Sequence, residues 1–217
     1  MTEKTLGQNF YNKLKLDIAY GKFKPGEHLS GRILAETYNI SRTLIREVLG
    51  QLDSEGFVTI EQNKGAFVTK LTVDDFDVVF NIIIRCESYA TALFIKNWNS
   101  GVVNKIKTVY NNMKSIHLES SQRDWLKMND QFHGLIYLNC GNTTLSYLIH
   151  NSWLRIYRFR LFRTDLPSLD SYDSQHGEIL AAICKKNEKL AEKLMANHLK
   201  YSREKRIRLL KEFEDLF

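Results

Sequence analysis

The chain has 217 residues, with 31 Lys or Arg against 25 Asp or Glu, a formal charge of +6. Hydrophobic residues make up 43% and charged residues 26%, ordinary globular composition that excludes a disordered chain and leaves room for one large domain or two small ones. No window approaches the roughly 18 uninterrupted apolar residues of a membrane span, and no signal-like apolar core opens the chain, so the expected location is cytoplasmic.

Seven of the eleven glycines fall before residue 66, and the two prolines are Pro25 and Pro167, so turn chemistry is concentrated in the first third. Residues 5–20 carry Leu6, Phe10, Leu14 and Ile18 in a helical stripe, ended by Gly21 and the Lys24-Pro25-Gly26 turn. A short helix is expected over 31–38 and a second over 42–55, with Ser41 placed to cap it and Gly56 to close it. Residues 57–60 and 66–69 are β-prone runs joined by a turn in which Gly65 supplies an unusual backbone angle. Three helices followed by a two-stranded wing define a winged helix-turn-helix.

In such a module the N-terminal end of the second helix of the pair faces the bases of the major groove. Arg42 and Arg46 stand one turn apart there, where a guanidinium can bind guanine O6 and N7 in bidentate fashion or clamp a phosphate. Thr43 can reach a phosphate or a thymine methyl, while Arg32 and the wing-tip Lys64 flank that face for backbone contacts.

The stretch GKFKPGEHLSGRILAETYNISRTLIREVLGQLDSEGFVTIEQNKGAFV closely resembles the DNA-binding domain of the GntR family of bacterial transcription regulators. The agreement runs through Pro25-Gly26, Leu34-Ala35-Glu36, Ser41-Arg42-Thr43, Arg46-Glu47, Leu52, Glu55-Gly56 and Gly65. The resemblance implies that Arg32, Arg42, Thr43, Arg46, Lys64 and Gly65 occupy DNA-contacting positions. Most members have Pro where this chain has Leu44, which predicts a slightly looser helix start.

From Thr72 onward helical periodicity is almost continuous, over 74–97, 100–118, 121–139, 144–164, 171–185 and 187–214. The expected architecture is therefore mostly α, with a winged helix-turn-helix over 1–71 and an all-helical bundle over 72–217. That bundle is similar to the FCD type of effector domain, as in the FadR subgroup.

Asn129 and His133 are i and i+4 on one helix, so an oxygen and an imidazole point the same way. His176 and His198 lie 10 and 12 residues from the turn at Lys186, roughly 15 to 18 Å at 1.5 Å per residue, so an antiparallel hairpin levels them. Three imidazoles and one oxygen suit a borderline divalent ion, Zn²⁺ or Ni²⁺, better than Mg²⁺ or Ca²⁺. The resemblance points to the same positions, with Asn129 in place of a commoner Asp and Asp130 as the fallback oxygen ligand. His150 can also be levelled with His133, across the turn at Gly141. Arg158 and Arg160, on an otherwise apolar helix, are candidate effector-binding groups or partners of bundle carboxylates.

Together these readings predict a ligand-responsive repressor, a homodimer on a palindromic DNA operator, with a metal-centred pocket for a small organic-acid effector. The alternative is the same regulator without metal, binding an acyl or sugar-acid effector directly. No H-E-x-x-H, G-x-S-x-G or phosphate-cradling loop is present, and no enzyme activity is expected.

Overall fold

The structure is a computed structural model, and it describes residues 3–116, 122–157, 159 and 169–212. The chain forms two compact units, one holding the chain up to Phe76 and the stretch that begins at Leu154, the other holding Asp77–Trp153 and the two C-terminal helices.

The first unit contains α1 (Glu3–Ala19), β1 (His28–Leu29), α2 (Gly31–Tyr38), α3 (Arg42–Ser54), β2 (Val58–Glu61) and β3 (Gly65–Val68). Phe10, Leu14 and Ile18 of the α1 stripe are buried with Leu34, Ile45, Val48, Leu49, Leu52, Phe57, Val58, Ala66 and Val68, whereas Leu6 remains exposed. Burying side chains such as Leu14, Ile45 and Leu52 contributes about 1.5–3 kcal/mol each before entropy is counted. The wing hairpin pairs β2 with β3, Glu61 opposite Gly65 and Ile60 opposite Ala66. Sequence periodicity gave no sign of β1, which adds a third antiparallel strand with His28 opposite Phe67.

Helix α3 begins where the sequence places it: the Ser41 hydroxyl accepts from the Leu44 amide at 3.3 Å. A proline at position 44 has no N–H to donate, so Leu44 gains a capping bond in exchange for the fixed φ it lacks. The looser helix start expected from Leu44 is offset by this cap.

One polar cluster sits at the far end of α3. Lys15 is 4% exposed, and its ammonium donates to Glu55 Oε2 at 2.5 Å and to the Tyr11 hydroxyl at 2.8 Å. Burial opposes ionisation of Glu55, but the bonds from Lys15 and Tyr11 outweigh it and hold the carboxyl below its ordinary value of 4.5. The resulting stability is present above that value and is lost as pH falls through the depressed one. Glu55→Gln is expected to cost about 2 kcal/mol at pH 7, since it leaves a buried ammonium without its counter-charge. In urea unfolding, the gap between variant and parent should close as the pH is lowered towards 3.

The second unit is built on α4 (Val73–Lys96), α5 (Ser100–Lys114), α6 (Gln122–Tyr137), α7 (Thr143–Ile156), α8 (Leu169–Cys184) and α9 (Glu188–Lys211). Its core includes Ile83, Phe94, Ile106, Phe132, Ile136, Ile149, Ile179, Ile183, Met195 and Leu199. α5 packs on α6 and α8, and α8 packs on α9. α5 ends at Lys114, with the Ser115 hydroxyl donating to the Asn112 carbonyl at 2.7 Å, and the last two residues of the periodicity-based helix, 117 and 118, lie outside the described residues. α4 has the length and apolarity of a membrane span, yet 61% of its apolar window is buried within the protein, as befits a core helix. The mostly helical architecture expected from the sequence is the one observed.

Candidate functional site

Two constellations carry chemistry, one in each unit. In the first unit, Ser30 and Ser41 cap α2 and α3, which fixes the N-terminal ends of both helices beside the wing. Arg32, Arg42, Arg46 and Gly65 line one cleft of about 330 Å³. The three arginine side chains are exposed. Lys64 is exposed at the wing tip and pairs with Glu61 at 2.9 Å. Thr43 is exposed as well but borders a different groove, shared with Gly7 and Tyr11 of α1.

Gly65 has φ +105, a left-handed backbone angle that favours glycine at the turn, and a Cβ there would also displace the ring of His28, whose Nε2 would lie at 2.7 Å. His28 lines the same cleft as the arginines, with its ring 5.1 Å from that of Phe67. From the sequence alone, His28 reads as a lone surface or satisfied core histidine with no role at the site. A helix end with two arginines, flanked by Arg32 of α2 and by the wing, can sit in a major groove and make phosphate contacts on both sides.

In the second unit, His133 on α6, His176 on α8 and His198 on α9 converge, their candidate ligand nitrogens all within 4.8 Å of one another. All three are buried. His133 and His198 stack with ring centroids 5.2 Å apart, and His176 Nε2 lies 3.3 Å from His133 Nε2. Burial, reinforced by the neighbouring imidazoles, pushes the pKa of His176 and of His198 well below the ordinary value, so both rings stay neutral and keep a lone pair available.

Two of the three outer nitrogens have side-chain partners. His133 Nδ1 lies 2.5 Å from Glu87 Oε1, and His198 Nδ1 lies 2.9 Å from Gln175 Oε1. Gln175 accepts a hydrogen bond through that oxygen, so His198 is the Nδ1–H tautomer with Nε2 turned inward; a carboxylate at Glu87 assigns the same tautomer to His133. Such outer-nitrogen partners are the usual companions of metal-binding histidines. The donor set therefore fits a borderline divalent ion: three buried imidazoles, those of His176 and His198 held neutral, with inner nitrogens converging.

Asn129, one turn before His133, is buried at 8% exposure. Asp130 is half-buried and is not one of the clustered groups. His150 is exposed, with Nδ1 at 3.3 Å from the Tyr137 hydroxyl, and takes no part in the cluster. Arg158 and Arg160 lie outside the described residues. Glu87 and Gln175 went unrecognised in the sequence: Glu87 is 46 residues from His133 and looks like any polar position on a long helix.

A winged DNA-reading module followed by a helical bundle with a buried polar centre defines the class of one-component regulators, in which one chain holds both a reader and a sensor. Residues 6–68 match the bacterial regulatory proteins of the gntR family, and residues 79–201 match the FCD domain. The chain belongs to this family of regulators and carries its FCD effector domain. It is 28% identical over 195 residues to the HTH-type transcriptional regulator YdhC of Bacillus subtilis (strain 168), covering 88% of this chain and 87% of that protein. It is 29% identical over 198 residues to the HTH-type transcriptional repressor GlaR of Escherichia coli (strain K12), covering 87% of this chain and 90% of the relative. Among solved structures, McbR/YncC of E. coli superposes with a TM-score of 0.76 at 20% identity, over 94% of this chain and 98% of that one.

Proposed function

We propose that the chain is a homodimeric, metabolite-responsive transcriptional repressor of the FadR subgroup and not an enzyme. Residues 1–71 read a palindromic operator, through Arg42 and Arg46 to bases and through Arg32, Thr43, Lys64 and the Gly65 turn to the backbone. Residues 72–217 dimerise and bind the effector. A two-fold pair doubles the small DNA surface that one winged module buries, which is the physical case for the dimer.

His133, His176 and His198, with Asn129 as the adjacent oxygen donor, would hold a divalent ion, Zn²⁺ or Ni²⁺. When bound, that ion would offer its remaining coordination positions to the carboxylate of a small organic acid. The observation that carries this reading is the convergence of three buried imidazoles, two of them already oriented from behind. Regulation then requires that the effector favour one placement of the paired DNA modules, since a ligand shifts only equilibria whose states it binds unequally.

The test is metal analysis of the purified protein beside His133→Ala, His176→Ala and His198→Ala, together with capture of genomic fragments by the unmodified chain. Stoichiometric Zn or Ni in the parent and its loss in the variants is the expected result. Full occupancy in all three variants removes the metal site, and failure to retain any fragment removes the operator.

A further inference from the structure

Glu87 stands behind His133, on the side away from the clustered inner nitrogens. Its side chain is fully buried in the middle of α4. Its oxygens meet His133 Nδ1 at 2.5 Å and accept from Trp153 Nε1–H at 2.7 Å, and no lysine or arginine among the described residues pairs with it. A carboxylate so far from water is costly unless a positive charge lies close by. On the other side of His133, the clustered inner donors are three imidazoles, and the buried residue one turn before His133 is the uncharged Asn129, so none of them brings a negative charge to a dication. The two deficits are complementary, and the imidazole of His133 stands between them.

We propose that Glu87 is the anionic positioning residue of this centre: through His133 it supplies, one bond removed, the charge that the inner donors lack. It fixes the His133 tautomer with Nε2 turned inward and raises the basicity of that nitrogen. Trp153 holds the second carboxylate oxygen, so Glu87 cannot swing inward to become a ligand itself without giving up that bond. The arrangement makes Asn129 tolerable: an aspartate at 129 and the carboxylate at 87 are alternative ways of neutralising one dication. This inference rests on the metal reading above.

The experiment uses the full chain, stripped with a chelator and titrated with Zn²⁺ against a chromophoric competitor. Glu87→Gln should weaken Zn²⁺ about 10- to 100-fold. Adding Asn129→Asp to Glu87→Gln should recover most of that loss, whereas Asn129→Asp alone should tighten the parent by a smaller factor, because two anions then share one cation. In the Co²⁺-loaded protein, Glu87→Gln should shift the visible ligand-field bands, a change that a merely packing role does not produce. If Glu87→Gln does not fold, Glu87→Asp, which keeps the charge and withdraws it from His133, is expected to show the same loss and band shift. Equal Zn²⁺ affinity and unchanged Co²⁺ bands in a folded variant overturn the role of Glu87 and leave the metal site standing. Absence of Zn²⁺ binding by the parent overturns both.

Discussion

Arg46→Ala is expected to lower operator affinity by at least about 30-fold at fixed salt, without lowering the melting temperature. The lower bound follows from the lesser value of a bidentate arginine contact, about 1 kcal/mol of a 1–3 kcal/mol range, lost twice in the symmetric dimer proposed above. Stability should be spared because Arg46 is exposed on α3, while the residues that hold the helix, Ile45, Val48, Leu49 and Leu52, point the other way and are buried. Lys64→Ala is the useful contrast. Its ammonium is exposed and paired with Glu61, and a phosphate contact from it carries no sequence information. That variant should weaken all DNA sequences alike and reduce the steepness of the salt dependence by about one unit per contact. Titrations of a captured genomic fragment and a scrambled duplex, each at several salt concentrations, separate the two behaviours. Equal affinity of Arg46→Ala and parent for the captured fragment would remove Arg46 from the reading helix.

What the sequence made legible follows from the range of the interactions involved. The capping serine, the helix period of α3 and the turn glycine are local, so Ser41, Val48 to Leu52 and Gly65 could be placed from their neighbours alone. The convergence of His176 and His198 was also legible, because an antiparallel hairpin converts equal distances from a turn into equal height. Glu87 was not, since its partners His133 and Trp153 lie 46 and 66 residues away and nothing in helical periodicity links α4 to either. The Lys15 to Glu55 pair failed to announce itself for the same reason: a lysine at 4% exposure on an amphipathic helix reads as solvated until its partner is known. Strand β1 escaped because two residues cannot display a period of two.

Zn²⁺ at about a hundred times its dissociation constant is expected to stabilise the parent by about 2.7 kcal/mol, a rise in melting temperature of about 5–10 °C for a chain of this length. His176→Ala should abolish that rise, because it removes one of three donors from a centre that has no spare histidine among the clustered groups. The state of the imidazoles before binding adds a second readout. His176 and His198 are held neutral by burial, so near pH 7 neither has a proton to release to an incoming cation. Calorimetric titrations in two buffers of different ionisation enthalpy should therefore give nearly the same heat. The same burial sets the acid sensitivity of the metal-free protein. Above the ordinary histidine value of 6.5 both rings are neutral whether the chain is folded or not. Below it the unfolded chain takes up protons that the folded one refuses, and stability falls by up to about 1.4 kcal/mol per pH unit for each ring. His176→Ala should flatten that fall in urea unfolding between pH 7.5 and 5 even as it erases the response to Zn²⁺. A variant that kept both the thermal shift and the full acid slope would place the third imidazole outside the centre.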